Sequence, residues 1–155
     1  MAGFSRTQWV NCPPEIVFEF ATNPENSTKV IETVQETKII SDGGMREGAR
    51  LRETRLMDGK PHTAEMTVTR YKPSTGYAVL AEDRGILVEY AYAFHAENGG
   101  TRIDLEATVT AKGLKKLALP LVVASMKKLD GDHLDHLKTA IESSYVDSSL
   151  AAGQD

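Results

Sequence analysis

The amino-acid sequence predicts a single α+β domain in which a long C-terminal helix covers one face of a seven-stranded antiparallel sheet. Three observations predict this class. Residues 34–111 contain short runs with strand-like alternation, turn-forming residues rich in glycine separate those runs, and only residues 114–145 show a sustained helical period of apolar side chains. A sheet with one dry face needs a cover, and this helix is the only predicted element long enough to supply it.

Length and charge restrict the possible functions. At 155 residues the chain suits one domain, and we place the limits of that domain at residues 1–146. The formal net charge of -4 argues against nucleic acid as a partner, because neutralising phosphates requires a basic surface. Cys12 is the only cysteine, so an internal disulfide is impossible and a cytoplasmic location is the simplest expectation.

The apolar runs are too short to predict a transmembrane segment, which needs about 18 residues. The N-terminal residues 1–6 also lack the apolar core of a signal peptide. The longest uncharged run, residues 117–126, is about half the length of a membrane span. A run of this length favours burial on several sides over membrane contact, and we expect it to be buried.

The N-terminal region is predicted to form one strand and two short helices. Pro13 and Pro14 end the strand, because proline cannot continue a ladder of strand hydrogen bonds. Pro14 suits the first turn of the first helix, and either Thr22 or Asn23 can cap the second. The predicted ranges are 4–11 for the strand and 14–21 and 24–30 for the helices.

Six further strands follow, and alternation shows which face of the sheet is apolar. The predicted strands are residues 34–40, 49–57, 63–71, 77–81, 86–96 and 101–111. On the last two strands, the apolar face carries Val88, Tyr90, Tyr92 and Phe94, and then Ile103, Leu105, Ala107 and Val109. These side chains are expected to face the helix.

The run at residues 49–57 is less regular, because charged residues occur on both of its faces. Arg52 lies on one face, and Glu53 and Arg55 lie on the other. We favour an edge-like strand with solvated charges, since charges discourage pairing at sheet edges. The face that points inward stays open. An inward Arg52 or Glu53 would need an acidic or polar ligand group to offset its desolvation.

Two residues interrupt the helical pattern of residues 114–145. Pro120 either kinks the helix or lies near its true start. Gly131 is a second weak point, since glycine costs about 1 kcal/mol relative to alanine inside a helix. Residues 147–155 have no apolar period and are predicted to be a disordered tail.

The order of elements and several local motifs resemble the helix-grip fold of the START-like (SRPBCC) superfamily, in particular its polyketide cyclase/dehydrase-like branch of bacterial proteins. The motifs are CPPEIVF at 12–18 followed by NPEN at 23–26, EGAR at 47–50, YKP at 71–73, GGTRI at 99–103 and LDHLK at 134–138. They span residues 3–145. Relatives often carry a tryptophan just after the NPEN motif, where this chain has STKV at 27–30, so a more polar pocket rim is expected here.

The resemblance implies a cavity between the sheet and the long helix that binds a hydrophobic small molecule. Our leading hypothesis is therefore the binding of a hydrophobic or amphipathic molecule such as a lipid, a polyketide or an aromatic metabolite, with no cofactor. The side chains expected to line the cavity come from the apolar faces of the sheet and the helix. They are Met66, Val88, Tyr90, Tyr92, Phe94, Leu105, Ala107, Val122, Met126 and Leu129.

Two alternatives come from other functional classes. Some relatives catalyse aromatic ring closure, so the chain could be a cyclase or dehydratase in which Tyr90 or Tyr92 stabilises an enolate-like intermediate. Packing in the core is the commoner role for such tyrosines, and no catalytic residue is assigned. Alternatively, residues 117–126 could dock onto a partner or a second copy, which leaves monomer and homodimer both open.

The four histidines do not predict a metal site. His133 and His136 lie three residues apart in the long helix, but a third ligand with suitable spacing is not evident in the sequence. A solvated helix flank explains the pair better. His62 lies beside a turn and His95 lies on the polar face of a strand.

Overall fold

The structure is a computed structural model that describes residues 2–152, with side chains described for residues 2–145. The strands are β1 (Ala2–Val10), β2 (Val34–Ile39), β3 (Arg50–Met57), β4 (Lys60–Lys72), β5 (Gly76–Asp83), β6 (Ile86–Glu97) and β7 (Gly100–Ala111). The helices are α1 (Pro14–Thr22), α2 (Ser27–Val30), α3 (Leu119–Asp130) and α4 (His133–Ala152), and short 3-10 helices at Pro24–Asn26 and Gly113–Ala118 precede α2 and α3. The predicted element order is confirmed.

The seven strands form one antiparallel sheet in the order β1-β7-β6-β5-β4-β3-β2. The first and last strands of the sequence are paired, so α1 and α2 must carry the chain from one edge of the sheet to the other. The hairpins between β3 and β7 use turns that favour positive φ. Asp58 and Gly59, with φ of 53° and 75°, have the backbone signs of a type I′ turn, which matches the twist of the strands that it joins.

Two hydrophobic clusters attach the C-terminal helices to the predicted dry face. Leu134, Leu137 and Ile141 of α4 pack with Phe94, Ile103 and Leu105, while Leu119, Val123 and Met126 of α3 pack with Phe4, Ala107 and Val109. The apolar face predicted for β7 is therefore confirmed. The two helices cover neighbouring parts of the sheet, with α3 nearer the start of β1.

The predicted long helix is divided at both predicted weak points. Pro120 lies in the first turn of α3, where a missing N–H breaks no helical bond, and residues 113–118 before it are 3-10. Gly131 separates α3 from α4. The cap of the second short helical segment is Asn23, whose Oδ1 accepts from the Glu25 amide at 3.1 Å. Thr22 instead donates its hydroxyl to the Phe18 carbonyl at 2.7 Å.

The C-terminal limit of the domain, placed at residue 146, stays a prediction. Helix α4 continues to Ala152, so residues 147–152 are helical rather than part of an irregular tail. The rest of the predicted tail, residues 153–155, lies outside the described residues. Of the helices described, none has both the length and the apolar character to cross a bilayer.

The expectation that residues 117–126 are buried on several sides is wrong. One stripe of this run faces the sheet, with Leu119, Val123 and Met126 buried. Leu117 and Leu121 remain 81% and 76% exposed on the other side. The physical reason is that only one side of α3 packs on the sheet, so the apolar residues on its other side stay exposed.

Gly131 should resist replacement by alanine. Helix propensity alone predicts stabilisation, but a Cβ at this position would overlap the Lys127 carbonyl oxygen. We expect Gly131→Ala to lower the free energy of unfolding by roughly 1–3 kcal/mol in urea titration, because the backbone must shift. Ser125→Ala, an exposed position within α3, is the matched control and should be neutral or slightly stabilising. A Gly131→Ala variant as stable as this control would contradict the close approach of the Lys127 carbonyl oxygen to position 131.

Candidate functional site

A cavity of about 130 Å³ lies between the inner face of the sheet, the α1–α2 region and the start of α4. Its size is close to that of an apolar cavity of about 150 Å³ known to bind benzene. One aromatic ring or a short aliphatic chain therefore fits. The apolar part of the lining is Phe20, Ala21, Val30, Ile31, Met45, Leu51, Met66, Val79 and Leu137.

A second pocket of about 210 Å³ adjoins this cavity. Val30, Ile31, Asp130 and His133 belong to the linings of both spaces. The remainder of the outer lining is largely polar and includes Lys128. Asp130 and His133 thus stand at the boundary between an apolar interior and a polar entrance, where an amphipathic molecule would place its polar end.

A charged cluster built from β3, β6 and the end of α3 lies at this boundary. Arg55 donates from Nε to Glu53 Oε1 at 2.6 Å and from Nη1 to Asp130 Oδ1 at 3.1 Å. Tyr90 donates its hydroxyl to Asp130 Oδ2 at 2.8 Å. Alternation along β3 places Glu53 and Arg55 on the same inward face as Leu51, which explains how both charges reach the cavity.

The charges in this cluster compensate one another, with one formal negative charge in excess. Burial alone would lower the pKa of Arg55, but the charges of Glu53 and Asp130 outweigh it, so the pKa is raised and the guanidinium stays charged. Burial, reinforced by Asp130, raises the pKa of Tyr90. Tyr90 therefore remains a hydroxyl donor at neutral pH.

Tyr92 and His133 form a second polar pair, with Tyr92 Oη 2.9 Å from His133 Nε2. Desolvation of the ring lowers the pKa of His133 to about 4, so its imidazole is neutral at pH 7. Burial also raises the pKa of Tyr92. The consistent arrangement is a Tyr92 hydroxyl donating to Nε2 and a proton on His133 Nδ1. The Tyr92 ring is held by stacking on Tyr77, with centroids 4.6 Å apart.

Two buried polar atoms of the cavity residues have no hydrogen-bond partner within the described part of the chain. They are His133 Nδ1 and Thr37 Oγ1, and both residues belong to the lining of the inner cavity. An unsatisfied buried donor costs about 1–3 kcal/mol, so most such groups in folded proteins find a partner. A bound polar group in this space would supply that partner.

The structure distributes the ten predicted lining residues over several places. Met66, Tyr90 and Tyr92 line the inner cavity, and Leu129 lines the outer pocket. Phe94 and Leu105 belong to the core under α4, whereas Val88, Ala107, Val122 and Met126 pack in the cluster under α3. Because α3 lies directly on β7 and β1, the open space is displaced toward β3 and the α1–α2 region.

Sequence reasoning missed the charged half of the site. The preference for an edge-like β3 with solvated charges is wrong, since β3 lies between β2 and β4. Only its outer face carries solvated charges, where Arg50 and Arg52 pair with Glu65. The inward charges need no ligand to offset their desolvation, because Arg55 is paired within the protein.

The interpretation of His133 as part of a solvated helix flank is also wrong. Its neighbour His136 does remain about half exposed, with Nε2 3.4 Å from Asp132. His133 instead turns inward, next to the break at Gly131. Two features of the sequence could have indicated the inward charges and His133. They are the alternation of Leu51, Glu53 and Arg55 on one face of β3 and the helix break at Gly131 beside His133.

Among the described residues, no three His, Cys, Asp or Glu side chains are grouped to hold a metal ion.

Comparison with known families identifies the fold. Residues 1–142 match the family described as polyketide cyclase / dehydrase and lipid transport. The chain belongs to this family. No curated protein matches the sequence. Membership supports a ligand-binding or cyclase role without specifying which.

Solved structures similar to this chain show the same fold. The structure of Ara h 8.0201 has a TM-score of 0.76 at 20% identity, with 92% of this chain and 98% of that chain covered. A START superfamily protein from Mycobacterium smegmatis has a TM-score of 0.67 at 17% identity, with 92% of this chain and 95% of that chain covered. The di-domain ARO/CYC protein BexL of the BE-7585A biosynthetic pathway has a TM-score of 0.76 at 14% identity, with 92% of this chain and 47% of that chain covered. The chain thus has the START-like helix-grip fold.

The displaced pKa of His133 predicts a loss of stability in mild acid. The unfolded chain, with a histidine pKa near 6.5, binds a proton before the folded chain does at about 4, so the free energy of unfolding falls as pH drops through that interval. From pH 7 to pH 5, wild type should lose about 2 kcal/mol more than His133→Gln in urea titration. Ser125→Ala, which removes no titratable group, should keep the wild-type slope. Equal slopes for wild type and His133→Gln would contradict the desolvated ring.

Proposed function

We propose that this protein binds a small amphipathic molecule in the cavity between the sheet, the α1–α2 region and the start of α4. The apolar part of the ligand, a single ring or a short chain of an aromatic metabolite, a polyketide or a lipid, occupies the inner cavity against Met66. Its polar end lies at the boundary formed by Tyr90, Tyr92 and His133. Family membership supports this class of function.

One observation carries the proposal. His133 Nδ1 and Thr37 Oγ1 are buried, lack partners in the described part of the chain, and belong to the lining of the same mainly apolar cavity. A ligand with an apolar body and a hydrogen-bonding group satisfies both features at once. A purely apolar molecule would leave both atoms unpaired.

The charge of the boundary favours an uncharged polar group on the ligand. Arg55 is already held by Glu53 and Asp130, and the cluster carries one excess formal negative charge. The neighbouring His133 is neutral at pH 7. A carboxylate placed there would be repelled and would lose its hydration, whereas a hydroxyl or carbonyl group would lose little.

Calorimetric titration with two ligands that share one apolar body but differ in their polar group tests this preference. We expect 4-ethylphenol to bind and 4-ethylbenzoate to bind at least about tenfold more weakly, because only the second brings a charge to the negative boundary. Native mass spectrometry of the purified protein should show a co-purifying small molecule. Repeated recovery of an empty protein that also rejects both ligands would remove the support for a binding function.

The Tyr92 hydroxyl should contribute directly to affinity. The Tyr92 hydroxyl donates its proton to His133 Nε2, so its oxygen is left to accept the hydroxyl proton of the ligand. Tyr92→Phe removes this acceptor and is expected to weaken the binding of 4-ethylphenol about 3- to 10-fold, which corresponds to the loss of one hydrogen bond. Tyr145→Phe is the matched control, since Tyr145 is 41% exposed on α4 and outside the cavity. If both variants bind like wild type, the polar group of the ligand does not lie at Tyr92.

A cyclase or dehydratase activity is the second candidate, and the Tyr92–His133 pair favours it. If the Tyr92 hydroxyl turns from His133 Nε2 to an enolate-like oxygen of a substrate, it stabilises that oxygen and leaves Nε2 free to accept a proton. The probe is a synthetic 3,5-dioxohexanoyl thioester, whose cyclisation is followed by absorbance. An enzyme should accelerate ring closure, and Tyr92→Phe should lower kcat about 10- to 100-fold with little change in KM. A wild-type rate equal to that in buffer would exclude this activity on the probe.

A further inference from the structure

Three exposed leucines form a stripe along the segment that leads into α3. Leu114, Leu117 and Leu121 are 86%, 81% and 76% exposed. Leu114 and Leu117 are three residues apart in a 3-10 helix, where such positions lie above one another. Leu121 follows four residues later, at the start of α3, and continues the same side. We call these three residues the leucine stripe.

The leucine stripe is not needed to attach α3 to the sheet. That contact is made by Leu119, Val123 and Met126, which are buried against β1 and β7. With about 100° per residue, Leu121 lies nearly opposite the middle of this buried set. Three neighbouring leucines that face outward and are not needed for this packing favour an interaction surface.

Within the segment that carries the leucine stripe, all formal charges are positive. The five exposed residues Lys112, Lys115, Lys116, Lys127 and Lys128 all lie within residues 112–128, which contain no Asp or Glu. The whole chain has a net charge of -4, so positive charge is concentrated on this segment. Lys115 donates to the main-chain carbonyl of Arg84, which holds the segment against the β5–β6 turn.

We propose that the leucine stripe and its lysines form a docking surface for the headgroup region of an anionic phospholipid bilayer. The leucines would enter the boundary between headgroups and acyl chains, and the lysines would contact the lipid phosphates. An amphipathic segment with leucine on one side and lysine beside it has the composition of an interfacial helix. This is surface binding, since no described helix is suited to cross a bilayer.

A second copy of the chain fits this surface less well. Joining two leucine stripes would bring two sets of five lysines together, and the segment offers no carboxylates to pair with them. An anionic bilayer supplies both the apolar interior and the negative charge. The inference is independent of the cavity and goes beyond the proposed ligand-binding function.

Co-sedimentation of the full chain with lipid vesicles tests the proposal. We expect binding to vesicles of phosphatidylcholine and phosphatidylglycerol, little binding to phosphatidylcholine alone, and loss of binding at high salt because salt screens the lysines. Leu117→Ser/Leu121→Ser and Lys116→Gln/Lys127→Gln should each weaken binding at least about tenfold. Circular dichroism and Tm should be unchanged, since all four side chains are already exposed.

Leu56→Ser and Lys60→Gln are the matched controls, because both residues are exposed on the β3–β4 side of the sheet. They should bind vesicles like wild type. The proposal is overturned if wild type does not bind anionic vesicles, or if Leu117→Ser/Leu121→Ser binds as well as the controls. It is also overturned if light scattering shows a dimer that Leu117→Ser/Leu121→Ser dissociates while vesicle binding is absent.

Discussion

Arg55 on β3 and Asp130 at the end of α3 form an ion pair whose atoms are 3.1 Å apart, and the geometry of the polar boundary depends on it. The pair joins the helices to a strand from which the cavity otherwise separates them. Its side chains are only 20% and 9% exposed, so the loss of either partner would leave a poorly hydrated charge. Tyr90 and Glu53 complete the hydrogen bonding of the pair and so fix its orientation.

The two C-terminal helices have different roles around this pair. Helix α3 packs closely on β7 and β1 through Val123 and Met126. Helix α4 begins beyond Gly131 and contributes His133 and Leu137 to the inner cavity. The break between the helices therefore lies where close packing ends and the binding space begins, with Asp130 and His133 on either side of it.

The fold that this chain shares with its family does not determine the chemistry of the site. Similar sheets and helices recur in solved proteins at 14–20% identity, which establishes the fold and nothing about the ligand. The chemistry of the site comes from side chains, namely the charge balance of Glu53, Arg55 and Asp130 and the neutral imidazole of His133. They bear on which ligand could enter, because a fold supplies the space and the side chains select its contents.

Local patterns were sufficient for most of the fold. Alternation predicted the dry face of β6 and β7, proline and glycine predicted the breaks in the helix, and turn residues predicted the hairpins. Met66, Tyr90 and Tyr92 were also placed at the cavity by their strand faces. These features depend on residues near one another in the sequence, which is why a single sequence carries them.

The sequence by itself thus determined the element order, the apolar face of the sheet and the positions of the helix breaks. Only the tertiary structure decided that Arg55 and His133 point inward and that Leu117 and Leu121 point outward. A strand with charges on both faces, or a helix with apolar residues on two sides, has no preferred side on its own. The packing of α3 against β1 and β7 and the pairing of Arg55 with Asp130 supply the missing preference, since both join residues far apart in the chain.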